Sequence, residues 1–195
     1  MIKKLPNIIC WFRIALIPFV LLFLLDTPVS ESMAIKTRFL VSGILFAVAI
    51  LSDFVDGKIA RKFDAVTNFG KFLDPIADKL LVLGVLCAFI ELGFVSCVPV
   101  LLILAREFMI TGLRLGAMSK GEVVAANWWG KVKTALQGVS LGLFFIYGAF
   151  ISQGATVEAV ASDMMIPQAF FWLVSAYTVI SVVPYYMACR KYLKD

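Results

Sequence analysis

Long apolar runs alternate with short charged connections along almost the whole chain. Six runs stand out: residues 8–25, 39–51, 80–92, 94–105, 132–151 and 166–188. A helix needs about 20 apolar residues to cross the hydrocarbon layer of a bilayer, and the second, third and fourth runs are shorter than that. The pattern therefore predicts three helices that continue into charged segments: from Ser52 onward, back to about Asp74, and from Arg106 onward.

The composition fits a membrane protein. Of the 195 residues, 62% are hydrophobic and 16% are charged, and the mean hydropathy is +0.95. A soluble domain of this size could not bury so much apolar surface. Disordered chains, disulfide-stapled secreted modules and ordinary cytosolic enzymes are excluded. We predict an all-α integral membrane protein with a single transmembrane catalytic domain over residues 1–195.

The basic residues predict the direction of the helices. All but three of the 18 lysines and arginines fall at the two termini or around the second and fourth connections. The exceptions are Lys36 and Arg38 in the first connection and Arg13 inside the first run. By the positive-inside rule, six helices cross the membrane and both termini are cytoplasmic. The first run also contains Pro18 and is followed by no small-x-small cleavage site, so it is interpreted as a retained helix.

Four aspartates stand around the connection between the second and third predicted helices. Asp53 and Asp56 are three residues apart, so a helix that continues through them places both carboxylates on one face. Asp74 and Asp78 are four residues apart on the next helix. Because Pro75 suits the first position of a helix, Asp74 is alternatively expected to cap that helix. Either arrangement brings four carboxylates together.

Such a carboxylate cluster calls for a cation, because unit charges about 4 Å apart at an intermediate dielectric repel by roughly 4 kcal/mol. The chain has no histidine. Oxygen ligands alone suit a hard divalent ion, Mg²⁺ or Mn²⁺, and two such ions can hold a phosphoryl group during displacement. Gly57 and Gly70 leave bare backbone where a polar substrate could approach. An ordinary charged loop explains a single aspartate, but it explains four at these spacings poorly.

Together these residues form the pattern D-x2-D-G-x2-A-R-x8-G-x3-D-x3-D. The pattern resembles the signature of the CDP-alcohol phosphatidyltransferases, which are six-helix membrane enzymes. They move a phosphatidyl group from a CDP-linked lipid to an alcohol and release CMP. All eight signature positions are present, and the six-run layout extends the resemblance over nearly the whole chain.

This resemblance implies a role for each signature residue. Asp53, Asp56 and Asp74 would bind the divalent ions, and Asp78 would touch a metal and act as general base on the acceptor hydroxyl. The CDP-linked lipid would be bound by Asp53, Gly57, Ala60 and Arg61, with Gly70 on the other side.

A second group of charged residues follows downstream. Arg106 and Arg114 lie about 80° apart around one helix, and Glu107 shares a face with Arg114. An arginine in the inner half of a membrane helix usually faces the protein interior or a watery cavity. Lys131 and Lys133 open the fifth helix beside that cavity. These four basic side chains suit a phosphate-bearing acceptor; the alternative is that the lysines only mark the inner interface.

The stretches AREFMITGLR and NWWGKVKTALQ also resemble the bacterial phosphatidylglycerophosphate synthase branch of the family. The resemblance implies transfer of the phosphatidyl group of CDP-diacylglycerol to sn-glycerol 3-phosphate, in the cytoplasmic (inner) membrane and on its cytoplasmic side. Phosphatidylinositol-phosphate synthase and cardiolipin synthase remain alternatives within the family. A cation-coupled transporter is an alternative from another class, but it predicts ionisable groups near the bilayer midplane.

The remaining expectations concern partners and interfaces. The resemblance implies a homodimer; membrane lipids are expected partners, and nucleic acid is not. Tyr185 and Tyr186, like Trp128 and Trp129, are typical of anchors at the membrane interface. Arg13 either reaches lipid phosphate or contributes to the site.

Overall fold

The computed structural model describes the backbone of residues 5–62, 68–119, 128–150 and 156–193, and within them the side chains of residues 10–52, 76–77, 79–114, 128–150 and 156–187. These ranges contain helices and no strand. The helices are α1 (Leu5–Leu24), α2 (Ile35–Lys62), α3 (Asn68–Glu91), α4 (Cys97–Ser119), α5 (Trp128–Phe150), α6 (Val157–Asp163), α7 (Met165–Ile180) and α8 (Val182–Leu193).

The predicted helix extensions are confirmed. Helix α2 continues through the charged segment as far as Lys62. Helix α3 is already helical at Asn68, and α4 continues past Arg106 as far as Ser119. The short helix α6 was not predicted, because its seven residues carry too little periodic pattern to distinguish them from a connection.

The alternative in which Asp74 caps the third helix is wrong. Helix α3 begins at Asn68, so Asp74 and Pro75 both lie inside it. A proline removes one backbone hydrogen bond and disfavours a helical residue before it, but membrane helices tolerate this. Asp74 and Asp78 therefore occupy successive turns of one continuous helix.

Three helices in the described chain satisfy the length and composition of a membrane span. They cover Ile35–Ser52, Trp128–Phe150 and Met165–Met187, the last running through α7 into α8, and Cys10–Leu24 is a shorter apolar helix. Many of their large apolar side chains are exposed, for example Ile44, Phe150 and Leu173. Exposed apolar faces of this kind fit a lipid solvent. The described residues are thus all-helical, and they are those of an integral membrane protein.

The chain divides into two compact units. The first combines Met1–Phe94 with Phe145–Ser162, and the second combines Val95–Phe144 with Asp163–Asp195. In the first unit, α1 packs against α2 and against α3. Phenylalanine rings fill its core in a chain of contacts with centroids 5.1 to 6.0 Å apart, made by Phe39, Phe46, Phe89, Phe94 and Phe145.

Two arginines of the first unit are buried. Arg38 ties the start of α2 to the end of α1, because its Nη1 lies 2.7 Å from Asp26 Oδ1 and its Nη2 donates to Leu24 O at 3.0 Å. The Asp26 carboxylate thus offsets the charge of the buried Arg38. Arg13 on α1 is 1% exposed, which does not fit the interpretation that it reaches lipid phosphate.

In the second unit, α4 packs against α7 and α8. The buried face of α7 and α8 repeats at helical spacing through Phe171, Val174, Thr178, Ser181 and Tyr185. Helix α7 ends at Ile180. Pro184, four residues later, has no N–H and therefore cannot donate a hydrogen bond to the carbonyl of Ile180. Ser181 stands at this junction, and its hydroxyl donates to Thr178 O at 2.7 Å.

Candidate functional site

A largely buried group of polar and charged side chains lies in the second unit, where α4, α5, α8 and the junction between α7 and α8 supply its members. We call it the basic cluster; it consists of Arg106, Glu107, Arg114, Lys133, Ser181 and Tyr185. Three of the four predicted acceptor-binding residues are in it.

Arg106 on α4 is held by two neighbours. Its Nε donates to Ser181 Oγ at 3.2 Å, and its Nη1 lies 3.3 Å from Glu107 Oε1. The residue is 6% exposed. Its Nη2 is also buried and has no hydrogen-bond partner among the described residues. Because a buried donor is costly to leave unpaired, this nitrogen is suited to an anionic oxygen.

Arg114 lies two turns further along α4. Its Nη2 donates to Tyr185 Oη at 3.1 Å, while its buried Nε has no hydrogen-bond partner in the part of the chain that is described. Tyr185 also contacts both guanidinium groups through its ring: the Cζ atoms of Arg106 and Arg114 lie 5.6 and 5.3 Å from the ring centroid. Both distances fall within cation–π range.

Glu107 joins the arginines to α5. Its Oε1 accepts from Lys133 Nζ at 2.5 Å and also faces Arg106. Sequence periodicity placed Glu107 on the face of Arg114, but its carboxylate reaches the other two cations. Among the described members of the cluster, three cations stand beside one carboxylate, which is an excess of two positive charges. A phosphate monoester, which carries up to two negative charges, complements that balance.

Lys131 and Lys133 are placed differently. Lys133 is 4% exposed, whereas Lys131 is exposed on α5. Residues two apart on a helix differ by about 200° in direction, so both cannot face the same neighbour. Lys133 belongs to the cluster through its contact with Glu107, whereas a binding role for Lys131 stays a prediction.

The four signature aspartates have described backbones, but their side chains lie outside the described residues. Asp53 and Asp56 are on α2, and Asp74 and Asp78 are on α3. Among the side chains that are described, no group of three or more potential metal ligands occurs. The donor set, four carboxylates at i, i+3 and i, i+4 positions of two helices, fits Mg²⁺ or Mn²⁺ because both ions prefer oxygen ligands.

The residues expected to bind the CDP-linked lipid are also helical. Gly57, Ala60 and Arg61 are on α2, on the turns that follow Asp53, and Gly70 is on the first turn of α3. Nothing is described of the side chains of Ala60 and Arg61. Their roles stay predictions from the signature.

Sequence reasoning missed Tyr185. It was expected at the membrane interface together with Tyr186, but it is 2% exposed while Tyr186 is 53% exposed. That expectation was wrong for Tyr185. The available signal was the helical repeat of the buried face, since Tyr185 follows Ser181 by four residues and Tyr186 falls outside that repeat. Ser181 was missed as well, although it lies on the same buried helical repeat.

Comparisons with known proteins agree with the signature. The model of the CDP-alcohol phosphatidyltransferase family matches residues 3–180. A CDP-diacylglycerol–glycerol-3-phosphate 3-phosphatidyltransferase of Bacillus subtilis is 43% identical over 150 residues, covering 74% of this chain and 77% of that protein. Proteins of the same name are 36% identical in Rickettsia bellii, over 97% of both chains, and 33% identical in Mycoplasma genitalium, over 95% of this chain and 78% of the relative. The chain therefore belongs to the CDP-alcohol phosphatidyltransferase family.

Proposed function

We propose that this chain transfers the phosphatidyl group of CDP-diacylglycerol to the 1-hydroxyl of sn-glycerol 3-phosphate. The hydroxyl oxygen attacks the lipid-side phosphorus of the diphosphate, the bond from that phosphorus to the bridging oxygen breaks, and CMP leaves. The products are phosphatidylglycerophosphate, CMP and one proton. The names of the relatives in three bacterial genera support this acceptor.

The observation that carries the proposal is the charge of the basic cluster. Among the described residues, Arg106 and Lys133 share one carboxylate, that of Glu107, while Arg114 donates to Tyr185 Oη. Two buried donors, Arg106 Nη2 and Arg114 Nε, are without a hydrogen-bond partner in the described residues. We assign these three cations to the acceptor phosphate, because arginine binds phosphate through several N–H groups and lysine adds a point charge. The exposed Lys131 would assist by attracting the acceptor anion.

The signature residues would bind and activate the other reactants. Asp78 takes the proton of the attacking hydroxyl, since the chain has no histidine to do so. Asp53, Asp56, Asp74 and Asp78 would hold one or two divalent ions. When bound, these ions supply positive charge to the diphosphate oxygens. Gly57, Ala60, Arg61 and Gly70 would bind the cytidine diphosphate, with the Arg61 guanidinium stabilising the charge on departing CMP.

The proposed membrane arrangement follows from the same chain. Six spans with cytoplasmic termini in the cytoplasmic membrane would give a water-soluble acceptor and a lipid donor access to one catalytic domain on the cytoplasmic side. The helical continuations of α2, α3 and α4 into charged segments support this arrangement. A homodimer is proposed on the family resemblance, and light scattering of the purified protein would test it.

A panel of radiolabelled acceptors tests the proposed function. The purified protein is given CDP-diacylglycerol with glycerol 3-phosphate, inositol phosphate or phosphatidylglycerol, with Mg²⁺, with Mn²⁺ or with EDTA. Divalent-dependent CMP release and labelled lipid with glycerol 3-phosphate alone is the expected result. Preference for inositol phosphate or phosphatidylglycerol would reassign the acceptor, and absence of CMP release with all three would favour a transporter.

A further inference from the structure

We propose that Tyr185 is a positioning residue that holds Arg106 and Arg114 at the angle needed to bind one acceptor phosphate. This inference rests on the proposed function. Tyr185 carries no charge and contacts the acceptor only through the arginines. Its task is to fix two cations that stand two turns apart on α4.

The geometry of the three side chains supports this role. One tyrosine ring lies within 5.6 Å of both guanidinium carbons, and its hydroxyl accepts from Arg114 Nη2. Ser181 and Glu107 bind Arg106 on other atoms, Nε and Nη1. These contacts leave Arg106 Nη2 and Arg114 Nε as the buried donors without a hydrogen-bond partner among the described residues. Tyr185 thus restrains both arginines while an unused donor of each stays available.

Two long side chains need such a restraint. A free arginine side chain loses considerable rotamer entropy on binding, and a site that orders it beforehand binds its ligand more tightly. Tyrosine has only two side-chain torsions, and here the residue is buried. It therefore forms a rigid support for both guanidinium groups.

Gly130 on α5 leaves room for the tyrosine hydroxyl. A Cβ atom at this position would lie 2.6 Å from Tyr185 Oη and 3.5 Å from the nearest ring carbons. The hydroxyl, but not the ring, excludes a larger residue here. Gly130→Ala is therefore a way to displace the hydroxyl without changing Tyr185 itself.

The first test compares substitutions of Tyr185. Tyr185→Phe keeps the ring and loses the hydroxyl, and we expect the KM for glycerol 3-phosphate to rise about threefold to tenfold. Tyr185→Leu also removes both ring contacts, and we expect a rise of about tenfold to a hundredfold. In both variants kcat and the KM for CDP-diacylglycerol should stay within about twofold of wild type. Tyr186→Leu, on the exposed neighbour, is the matched control and should change none of these constants.

The second test is a double-mutant cycle with Gly130. Gly130→Ala alone should raise the KM for glycerol 3-phosphate about as much as Tyr185→Phe does. In the Tyr185→Phe background it should add less than about twofold, because the atom it collides with is gone. Independent, multiplying effects would overturn the inference, as would equal losses for both substrates. Because Tyr185→Phe and Gly130→Ala are small changes, they test it even if Tyr185→Leu fails to fold.

The two proposals fail in different ways. If the wild-type protein transfers no phosphatidyl group to glycerol 3-phosphate, the proposed function is wrong before any variant is compared. If wild type transfers the group but Tyr185→Phe and Gly130→Ala match it in every constant, only the role of Tyr185 is overturned.

Discussion

Glu107 on α4 and Lys133 on α5 form an ion pair of 2.5 Å across 26 positions of the chain. The same carboxylate oxygen faces Arg106 at 3.3 Å. In this partly buried setting, the negative charge of Glu107 offsets some of the repulsion between Arg106 and Lys133. In the proposed function, an anionic acceptor would reduce this repulsion further, because its phosphate would bind the same two cations as Glu107.

The first prediction therefore concerns Glu107→Gln. The amide still accepts a hydrogen bond from Lys133, but the counter-charge is lost. We expect an unfolding free energy lower by about 1 to 3 kcal/mol and glycerol 3-phosphate binding that is about threefold to tenfold tighter, since more positive charge is uncompensated. Thermal unfolding and titration calorimetry measure the two effects.

Glu158→Gln, at an exposed position, is the control for this prediction. Unchanged affinity for glycerol 3-phosphate in Glu107→Gln would show that the carboxylate does not share its cations with the acceptor.

A second prediction concerns Lys133→Ala. Loss of a charge-assisted hydrogen bond is worth roughly 1.5 to 3 kcal/mol, so the KM for glycerol 3-phosphate should rise about tenfold to a hundredfold. The KM for CDP-diacylglycerol should change far less. Arg106→Ala should behave alike. Lys36→Ala, an exposed lysine of the other unit, serves as the control in the same steady-state assay. A parallel rise of both KM values would mean that Lys133 maintains the fold instead of the acceptor site.

The third prediction concerns the divalent-ion ligands. Asp53→Asn, Asp56→Asn and Asp74→Asn should each abolish turnover and weaken Mn²⁺ binding, because each removes one anionic oxygen ligand. Each should leave the monodisperse detergent peak intact, since neutralising one member of a repelling group relieves repulsion without metal. Calorimetric Mn²⁺ titration and size-exclusion chromatography provide the readouts, with the exposed Asp163→Asn as control. Full activity in any one variant would remove that residue from the ligand set.

The fourth prediction assigns the general base. Asp78→Asn should lower kcat by roughly 10² to 10⁴ while CDP-diacylglycerol binding stays largely intact, which is the scale of general-base catalysis. Single-turnover CMP release and equilibrium binding of the CDP-linked lipid separate the two quantities. If lipid binding falls in proportion to kcat, Asp78 is chiefly a ligand of the divalent ion.

The sequence predicted the lengths of the helices correctly, but it offered a wrong start for the third helix. The runs were too short to span a bilayer alone, and this shortfall correctly required α2, α3 and α4 to continue into charged segments. The preference of Pro75 for the first position of a helix led to the wrong prediction that Asp74 caps α3. The free energy that one proline costs a helix is small compared with the hydrogen bonds of a long helix that continues on both sides of it. Length and hydropathy are properties of the chain itself, so they can be read without knowing its neighbours.

The site residues, like the helices, were predicted in part from the sequence and decided in part by the packing. The sequence by itself determined the membrane class and the family signature on α2 and α3. It also predicted four basic residues for an acceptor, because residue type and helical spacing carry that information. Only the tertiary structure decided which lysine is buried, that the carboxylate of Glu107 turns to Lys133, and that Tyr185 supports both arginines. Spacing sets the direction in which a side chain leaves its own helix, but packing decides which helix meets it there.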